Sequence, residues 1–372
     1  MAVPTLDALR FARGWTRSAS EVPFPGVAVE SMTLRDDAGT LSASRYRPSS
    51  GSRPRPGWVL LHGATRPGHE HTAIVRFAAA LASTGGDVIV PEIRAWRRLE
   101  LDPAPALHAL EAATEHMCAH PDIQPGGVVL VGLSFGCPQA LIAGADLAAR
   151  GLVRGVLGYG GYHDLLATVR FGLTGQFRRN GRTGYLRPDP YGRWVVAANY
   201  LHRIPGYEGT EDVSRALGRL AAMAGDHGFM SWEPSSDPFK DDVIESVSVE
   251  NRELFRLFAP PAAQDPEPGR AREMAFLLTE AARTTHPQLE LAGALNGRAL
   301  PPVRLIHGRQ DHLIPFTETL ALERFLRRRA DVSATVTDLF AHSGEAGRSA
   351  TRIVEAGRFL AAIRGAMALH RR

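Results

Sequence analysis

Apolar and polar positions alternate in two different ways along the chain. Up to residue 161, and again from residue 300, short apolar runs alternate with stretches in which apolar residues recur at helical spacing. The apolar runs, which predict buried strands, are residues 58–61, 87–90, 128–131, 153–159, 303–306 and 333–339. Helical spacing is found in residues 69–84, 104–119, 135–150, 316–329 and 345–368. Short strands alternating with helices predict an α/β protein whose mostly parallel sheet is covered by helices on both faces.

The segment before residue 58 predicts further elements. Leu6, Leu9 and Phe11 indicate a short helix that packs on the body of the protein. Two runs of alternating polarity follow, on either side of Asp36-Asp37-Ala38-Gly39. This pattern predicts a β-hairpin with Gly39 at its turn, because glycine adopts the positive φ that tight hairpin turns need.

Residues 162–299 do not follow the alternation. They contain helical segments at about 211–224, 240–258 and 270–285, joined by loops rich in proline and glycine such as 188–192. No parallel strand is evident in this stretch. The middle of the chain is therefore expected to be a mostly helical insertion between two strands of the sheet.

Gly132, Ser134 and Gly136 stand where a predicted strand gives way to a predicted helix. A serine on a sharp strand-to-helix turn lies above the carboxyl edge of the sheet, and glycines two residues before and after it relieve crowding. The N-terminus of the helix favours negative charge that develops near the serine. This context predicts a nucleophile elbow with Ser134 as the nucleophile, rather than a plain turn.

A serine nucleophile needs a base to accept its proton and an acid to orient that base. His342 lies just after the last predicted strand, in a loop expected at the same edge of the sheet as Ser134. Asp311 follows the preceding strand at that edge, and the chain order Ser134, Asp311, His342 is the order that this architecture uses. Asp164, shortly after an earlier strand, is an alternative acid.

An oxyanion hole needs two backbone N–H groups near the developing negative charge. Phe135, the residue after the nucleophile, is expected to supply one of them. The loop that follows the first parallel strand is expected to supply the other, because Gly63 allows a tight turn there and Ala64 is then placed to donate. His62 is expected to bond the backbone of this loop rather than to take part in the chemistry.

Four motifs together resemble those of the α/β-hydrolase superfamily. They are Leu61-His62-Gly63, Gly132-Leu133-Ser134-Phe135-Gly136, His307-Gly308-Arg309-Gln310-Asp311 and Ala341-His342-Ser343. The resemblance covers about residues 27–161 and 300–368, and it implies an α/β-hydrolase fold with an eight-stranded, mostly parallel sheet and a helical cap after the sixth strand. On this basis we expect residues 1–161 and 300–372 to form the core domain and residues 162–299 to form the cap.

Aromatic and polar residues of the insertion are candidates for lining a pocket over Ser134. Each of them is equally compatible with the cap's own apolar core. The candidates are Tyr162, His163, Phe229, Met230 and Trp232.

Composition removes several other classes of function. The net charge is +4 with a pI near 9.4, but the basic residues are spread along the chain and Lys240 is the only lysine, so nucleic-acid binding is not expected. No apolar stretch is long enough to span a bilayer, and no secretory signal is evident, which favours a cytoplasmic protein. Cys118 and Cys137 have neither the spacing of a metal site nor that of a redox pair. No metal or organic cofactor is implied, and the sequence does not determine the oligomeric state.

These observations predict a serine hydrolase that cleaves an ester or thioester of a small to medium organic acid through an acyl-enzyme on Ser134. Two alternatives remain open. An acyltransferase would use the same triad and would pass the acyl group to an added alcohol or amine. A non-catalytic ligand-binding member of the fold would have no need of the three groups Ser134, Asp311 and His342.

Overall fold

The computed structural model describes residues 3–17, 19–36, 39–51, 53–227, 231–338 and 352–371 of the 372-residue chain. Its strands are β1 (Val27–Asp36), β2 (Gly39–Pro48), β3 (Gly57–Leu61), β4 (Asp87–Pro91), β5 (Val128–Leu133), β6 (Val153–Tyr159), β7 (Gln176–Arg179), β8 (Arg182–Tyr185), β9 (Val303–Gly308) and β10 (Val332–Thr337).

The helices cover both the predicted segments and parts of the insertion. They are α1 (Val3–Trp15), α2 (Thr72–Ala82), α3 (Arg94–Arg97), α4 (Ala104–Cys118), α5 (Gly136–Ala149), α6 (Leu165–Thr174), α7 (Pro190–Tyr200), α8 (Glu211–His227), α9 (Asp237–Ile244), α10 (Arg252–Phe258), α11 (Pro268–Thr285), α12 (Leu291–Ala294), α13 (Thr317–Leu326) and α14 (Arg352–Met367).

Eight strands form one sheet in the order β1-β2-β4-β3-β5-β6-β9-β10. The strand β2 runs antiparallel to both of its neighbours, and from β4 to β10 every neighbouring pair is parallel. The predicted eight-stranded, mostly parallel sheet is therefore confirmed. Because β5, β6, β9 and β10 run in the same direction, their carboxyl ends meet at one edge, where ligand sites of open α/β sheets lie.

Successive residues of the central strands are buried on opposite faces of the sheet. Trp58 and Leu60 of β3 pack into one apolar core with α1, α2 and α14, whereas Val59 and Leu61 pack into another with α4, α5 and α13. Side chains of a strand alternate between the two faces of the sheet. Because helices cover both faces, every position of a central strand is buried and is therefore apolar. This explains why the central strands are continuous apolar runs in the sequence.

The two N-terminal predictions hold with one difference. The hairpin forms between β1 and β2, with Asp36 paired to Gly39 across the turn. The short helix is α1, and Phe11 on it is buried, but Leu6 and Leu9 are about half exposed. The helix therefore packs through a narrower face than the sequence indicated.

Residues 162–299, called the insertion from here on, contain α6 to α12 and the hairpin of β7 and β8. They form an apolar core of their own, called the insertion core, in which Trp194, Phe255 and Leu278 are fully buried. Leu99 and Ile314 from the sheet region also pack into it. The insertion therefore has its own interior, and it is joined to the sheet region along a packed boundary.

The hairpin of β7 and β8 was not identified from the sequence. Its strands pair antiparallel, with Arg179 opposite Arg182, and Asn180 and Gly181 between them both have positive φ. Asn-Gly is a strong signal for such a turn when apolar residues alternate around it. Here the residues on either side of Asn180-Gly181 are mostly polar, so the alternation of apolar residues that would support a hairpin is missing.

The prediction of a loop at residues 188–192 was wrong in its second half. The helix α7 begins at Pro190, and the Asp189 carboxylate accepts the N–H of Tyr191 at 3.0 Å. An aspartate cap followed by proline at the first helical position is a regular helix start, because proline has no N–H to leave unsatisfied.

The prediction of one helix over residues 240–258 was also wrong. The chain forms α9 and α10 with a break between them. At the break, the Asp212 carboxylate of α8 accepts the N–H and hydroxyl of Ser248, at 2.8 and 2.7 Å, and the side-chain amide of Asn251 at 2.9 Å. A partner from a distant helix therefore satisfies polar groups that a continuous helix would have used itself.

Candidate active site

Ser134 occupies the sharp turn between β5 and α5. Its φ is +53°, in the left-handed region that residues with a Cβ seldom adopt. The Ser134 N–H donates to the Tyr159 carbonyl at 2.7 Å, and the Ser134 carbonyl accepts the N–H of Cys137 at 2.9 Å. The backbone on both sides therefore holds the strained turn in place, as expected for a functional site.

Glycine is required on both sides of Ser134 for steric reasons. A Cβ on Gly132 would lie 2.5 Å from the Gly136 carbonyl oxygen. A Cβ on Gly136 would lie 2.6 Å from the carbonyl oxygen of His62. The turn is therefore closed against both its own helix and the loop after β3, and this close approach explains the Gly-x-Ser-x-Gly spacing.

The loop after β3 runs directly beside Ser134. A Cβ on Gly63 would lie 3.2 Å from the Ser134 Cβ and 3.5 Å from its Oγ. Ala64, the predicted second oxyanion donor, follows in this loop and packs partly buried, as does Phe135. The structure thus brings together the segments that carry both predicted oxyanion donors and the predicted nucleophile.

His62 fixes the course of this loop. Its Nδ1 donates to the Gly63 carbonyl at 2.7 Å, and its Nε2 accepts the N–H of Ile93 at 3.2 Å. Burial lowers the pKa of His62 to about 4, so the ring is neutral at neutral pH. Its ring packs edge-on against Trp96, which in turn packs against Phe135. These contacts agree with the structural role expected for His62.

Asp311 lies in the turn after β9 and is 1% exposed. Its Oδ1 accepts the N–H groups of Leu313 at 2.9 Å and of Ile314 at 3.0 Å. Burial, and then the charge of Asp311, raise the pKa of Tyr159 well above its ordinary value. The carbonyl of the same Tyr159 accepts the Ser134 N–H, so Asp311 and Ser134 lie on the same part of the sheet edge.

The alternative acid, Asp164, has a different environment. It is exposed at the first turn of α6, where its Oδ1 accepts the N–H of Ala167 at 3.0 Å. Asp164 is therefore the N-cap of a helix. Because the Asp164 carboxylate is exposed and already caps a helix, Asp311 is the better candidate for the acid.

Two predicted site residues, His342 and Phe229, lie outside the described residues, as does Met230. The strand before His342, β10, ends at Thr337 and is parallel to β9. The role of His342 as the base stays a prediction.

The other candidate pocket residues differ in their surroundings. Tyr162 is buried, and its hydroxyl donates to the Leu289 carbonyl at 3.1 Å. The ring of His163 lies 4.8 Å from that of Phe325, and the ring of Trp232 lies 4.8 Å from that of His312. Tyr162 thus packs inside the protein, whereas Trp232 lies beside the turn that carries Asp311.

Cys137 fills space next to the elbow. A Cβ on Gly158 or Gly161 would lie 2.5 or 2.4 Å from its Sγ. Burial raises the pKa of the Cys137 thiol to about 12. A protonated, enclosed thiol is a packing group rather than a nucleophile.

Sequence reasoning missed several residues that surround the site. The Tyr191 hydroxyl on α7 lies 3.4 Å from the Ala64 carbonyl. The Arg66 guanidinium, in the loop after β3, makes a two-pronged ion pair with Asp226 of α8 at 3.1 and 3.2 Å. His307 Nε2 lies 3.1 Å from Asp311 Oδ2. Of these, only His307 belongs to a motif that the sequence singled out, since partners from distant elements leave no local pattern.

Within the described residues, no cluster of three or more histidine, cysteine, aspartate or glutamate side chains is arranged to hold a metal ion. None of the helices described is both long and apolar enough to cross a membrane.

No protein-family model and no curated protein sequence matches this chain. Among solved structures, a Legionella pneumophila protein described as a hydrolase is 11% identical over 93% of this chain and 89% of its own, with a TM-score of 0.50. The esterase Est22 is 15% identical over 98% and 87% of the two chains, with a TM-score of 0.49. An esterase of Pyrobaculum calidifontis is 18% identical over 99% and 91%, with a TM-score of 0.44. The strand order and the first of these likenesses confirm the predicted α/β-hydrolase fold.

Proposed function

We propose that this chain is a serine hydrolase that cleaves an ester or thioester of a small to medium organic acid. The observation that carries the proposal is Ser134, held at φ +53° between a parallel strand and a helix, with the loop of Gly63 against its side chain. Strain of this kind persists only where the surrounding structure enforces it. A serine that served only as a turn residue would not need it.

In the proposed reaction, Ser134 Oγ attacks the acyl carbonyl carbon while His342 accepts the hydroxyl proton. The carbonyl oxygen becomes an oxyanion, which the N–H groups of Phe135 and Ala64 stabilise. His342 then returns the proton to the leaving oxygen or sulfur, and the acyl group stays on Ser134. A water molecule then attacks the acyl carbon and gives a proton to His342, which passes it to Ser134 Oγ as the acid leaves. Asp311 orients His342 throughout.

The environment of the oxyanion segments supports an apolar acyl group. Ala64 and Phe135 both pack, partly buried, against the insertion core and against the core on the α4–α5 face of the sheet. Both side chains are themselves apolar, and on this ground we propose that the acyl group is apolar too. The proposed substrate is a small molecule with an apolar acyl part, and no cofactor takes part in the chemistry.

In this proposal residues 1–161 and 300–372 are the core domain and residues 162–299 are a cap over the site. Its support is the set of contacts that reach the site from the insertion. Tyr191 meets Ala64, Asp226 pairs with Arg66, and the Asp189 N–H donates to the His312 carbonyl at 2.7 Å. The insertion therefore touches both the oxyanion loop and the turn of Asp311.

The test is hydrolysis of p-nitrophenyl esters from acetate to palmitate by the wild type and by Ser134→Ala. We expect clear wild-type turnover and a loss of about 10⁴-fold or more in the variant, because the triad acts as a unit. Asp311→Asn is expected to lose activity on a similar scale, whereas Asp164→Asn is the matched control and should stay close to wild type.

Equal rates for the wild type and Ser134→Ala would overturn the proposal. A large loss in Asp164→Asn without one in Asp311→Asn would transfer the acid's role to Asp164. If an added alcohol diverts the product from acid to ester, the enzyme is an acyltransferase that uses the same triad.

A further inference from the structure

We propose that His307 is a positioning residue for Asp311, and that Thr319 fixes the tautomer in which His307 does so. The inference rests on the proposed function, since it concerns how the acid of the triad is held. His307 is the penultimate residue of β9, lies four positions before Asp311 in the sequence, and is fully buried. The proposed reaction gives it no chemical step.

The Nε2 side of the ring faces the turn that carries Asp311. His307 Nε2 lies 2.9 Å from the Ile314 carbonyl oxygen and 3.1 Å from Asp311 Oδ2. Both of these atoms are acceptors, so Nε2 must carry a proton. The ring N–H therefore donates to the Ile314 carbonyl, and Asp311 Oδ2 lies beside the same ring nitrogen.

The carboxylate is held through the same turn. Its Oδ1 accepts the amides of Leu313 and Ile314, and Ile314 is also the residue whose carbonyl accepts the His307 N–H. The His307 ring therefore holds the backbone that binds Oδ1, and its Nε2 lies 3.1 Å from Oδ2. By holding this turn, His307 fixes the direction in which Asp311 meets the base.

The Nδ1 side of the ring faces α13. Nδ1 lies 2.7 Å from the hydroxyl of Thr319, which is 1% exposed. With Nε2 protonated and Nδ1 bare, the Thr319 hydroxyl can donate to Nδ1 at 2.7 Å, a much shorter contact than its 3.5 Å approach to the Gly161 carbonyl. The opposite tautomer would set an unprotonated Nε2 against two acceptors. Thr319 thus satisfies the one tautomer that can hold the turn.

Within the described residues, three elements bring charged or titratable groups close to this pair. Asp311 lies on the turn itself, and Tyr159 at the end of β6 is raised in pKa by burial and by Asp311. Glu318, next to Thr319 on α13, directs its carboxylate to the amides of His163 and Asp164 instead. Among these groups, His307 is therefore the one that donates to the backbone of the Asp311 turn.

The test compares His307→Asn with His307→Gln. The amide nitrogen of glutamine reaches as far as Nε2 of histidine, whereas that of asparagine ends near Nδ1. We expect kcat of His307→Asn to fall about 10²-fold with KM nearly unchanged, the cost typical of a misplaced catalytic group. His307→Gln should recover most of that loss.

A second pair of variants keeps the ring in place. Thr319→Val removes the hydroxyl with little change in shape, and Thr319→Ser keeps it. We expect Thr319→Val to lower kcat about fivefold and Thr319→Ser to leave it unchanged, since a lost neutral hydrogen bond is worth about 1 kcal/mol. The ¹⁵N shifts of the His307 ring should show a protonated Nε2 and an unprotonated Nδ1 in the wild type.

The outcomes separate this inference from the function on which it rests. If the wild type shows no activity that Ser134→Ala abolishes, the proposed function fails and the positioning role falls with it. If that activity exists and folded His307→Asn or Thr319→Val retains full kcat, only the positioning role is overturned. Equal losses in the asparagine and glutamine variants, or a protonated Nδ1 with a bare Nε2, would also overturn it.

Discussion

The sheet region and the insertion bury their apolar residues by different means. In the sheet region each strand and helix meets its neighbours along a regular face, as Trp58 and Val59 do on the two sides of β3. In the insertion, single polar side chains tie distant segments together: the Phe258 carbonyl accepts from both Arg193 Nε, at 2.6 Å, and Trp194 Nε1, at 2.9 Å. Burial along regular faces leaves a periodic pattern of apolar residues in the sequence, whereas single hydrogen bonds between distant segments leave no such pattern.

The boundary between the two regions is also built from individual contacts. The Asn199 side chain of α7 donates to the Leu99 carbonyl at 2.8 Å and accepts the Leu101 N–H at 2.9 Å. Leu99 itself has a φ of +62°, and the Tyr200 hydroxyl donates to the Leu101 carbonyl at 3.2 Å. The strained turn of the sheet region is therefore held by the insertion, and the two regions are expected to unfold together.

The largest effect is expected from truncating the insertion core. Trp194→Ala removes a fully buried side chain and its hydrogen bond to Phe258, which should lower the free energy of unfolding by about 3–5 kcal/mol. Trp58→Ala, in the sheet region, should cost a similar amount. Because the boundary is closely bonded, urea unfolding followed by circular dichroism should show one transition in each variant.

Two transitions in Trp194→Ala, with the later one at the wild-type midpoint, would contradict that expectation. The insertion would then be an independently unfolding unit, and its contacts with Leu99 and Leu101 would add little to the stability of the sheet region.

A smaller effect is expected where the chain enters the insertion. The buried Glu318 carboxylate of α13 accepts the amides of His163 at 3.1 Å and Asp164 at 2.8 Å. Burial raises the pKa of Glu318 to about 7, against an ordinary value of 4.5. A raised folded-state pKa contributes stability below pH 4.5, and that contribution is lost as the pH rises through about 7. Above pH 7 the buried charge therefore lowers stability.

Glu318→Gln removes this charge and keeps an oxygen for the two amides. We expect the variant to be more stable than the wild type at pH 8, by at most about 3 kcal/mol, since one pKa unit corresponds to about 1.4 kcal/mol. Below pH 4.5 the difference should vanish. Urea unfolding at pH 8 and at low pH measures both, and the partly exposed Glu323→Gln on the same helix is the control. A constant difference at all pH values would show that the carboxylate's charge is not the cause.

The smallest effect is expected from the ion pair that joins the loop after β3 to α8. Arg66 and Asp226 are 38% and 47% exposed, so Asp226→Asn should change the free energy of unfolding by less than about 1 kcal/mol. If the pair also steadies the loop of Ala64, KM should rise by up to about fivefold, the equivalent of 1 kcal/mol. The change should disappear at high salt, where exposed pairs are screened.

Glu100→Gln is the matched control for this ion pair. Glu100 makes an equally two-pronged, exposed pair with Arg98 that stays within the sheet region. A rise in KM in both variants would mean that surface charge in general, and not the link between the two regions, affects the site.

The sequence by itself determined the sheet and the elbow. Strands buried on both faces must be apolar throughout, and a serine on this strained turn requires glycine two residues before and two residues after it, so these features follow from local rules. The Asn180-Gly181 turn and the Asp189-Pro190 helix start were also present as local signals. They were not recognised, because the residues around them are polar or have the composition of a loop.

Only the tertiary structure decided which distant groups lie around the candidate site. Asp311 and Asp164 both follow strands of the sheet in sequence, and folding separates them: one is buried against His307, and the other caps α6 in solvent. The break between α9 and α10 depends on Asp212 of another helix, and the loop after β3 meets Tyr191 of a third. The physical reason is that hydrogen bonds between elements far apart in sequence depend on how those elements pack, which no short stretch of residues specifies.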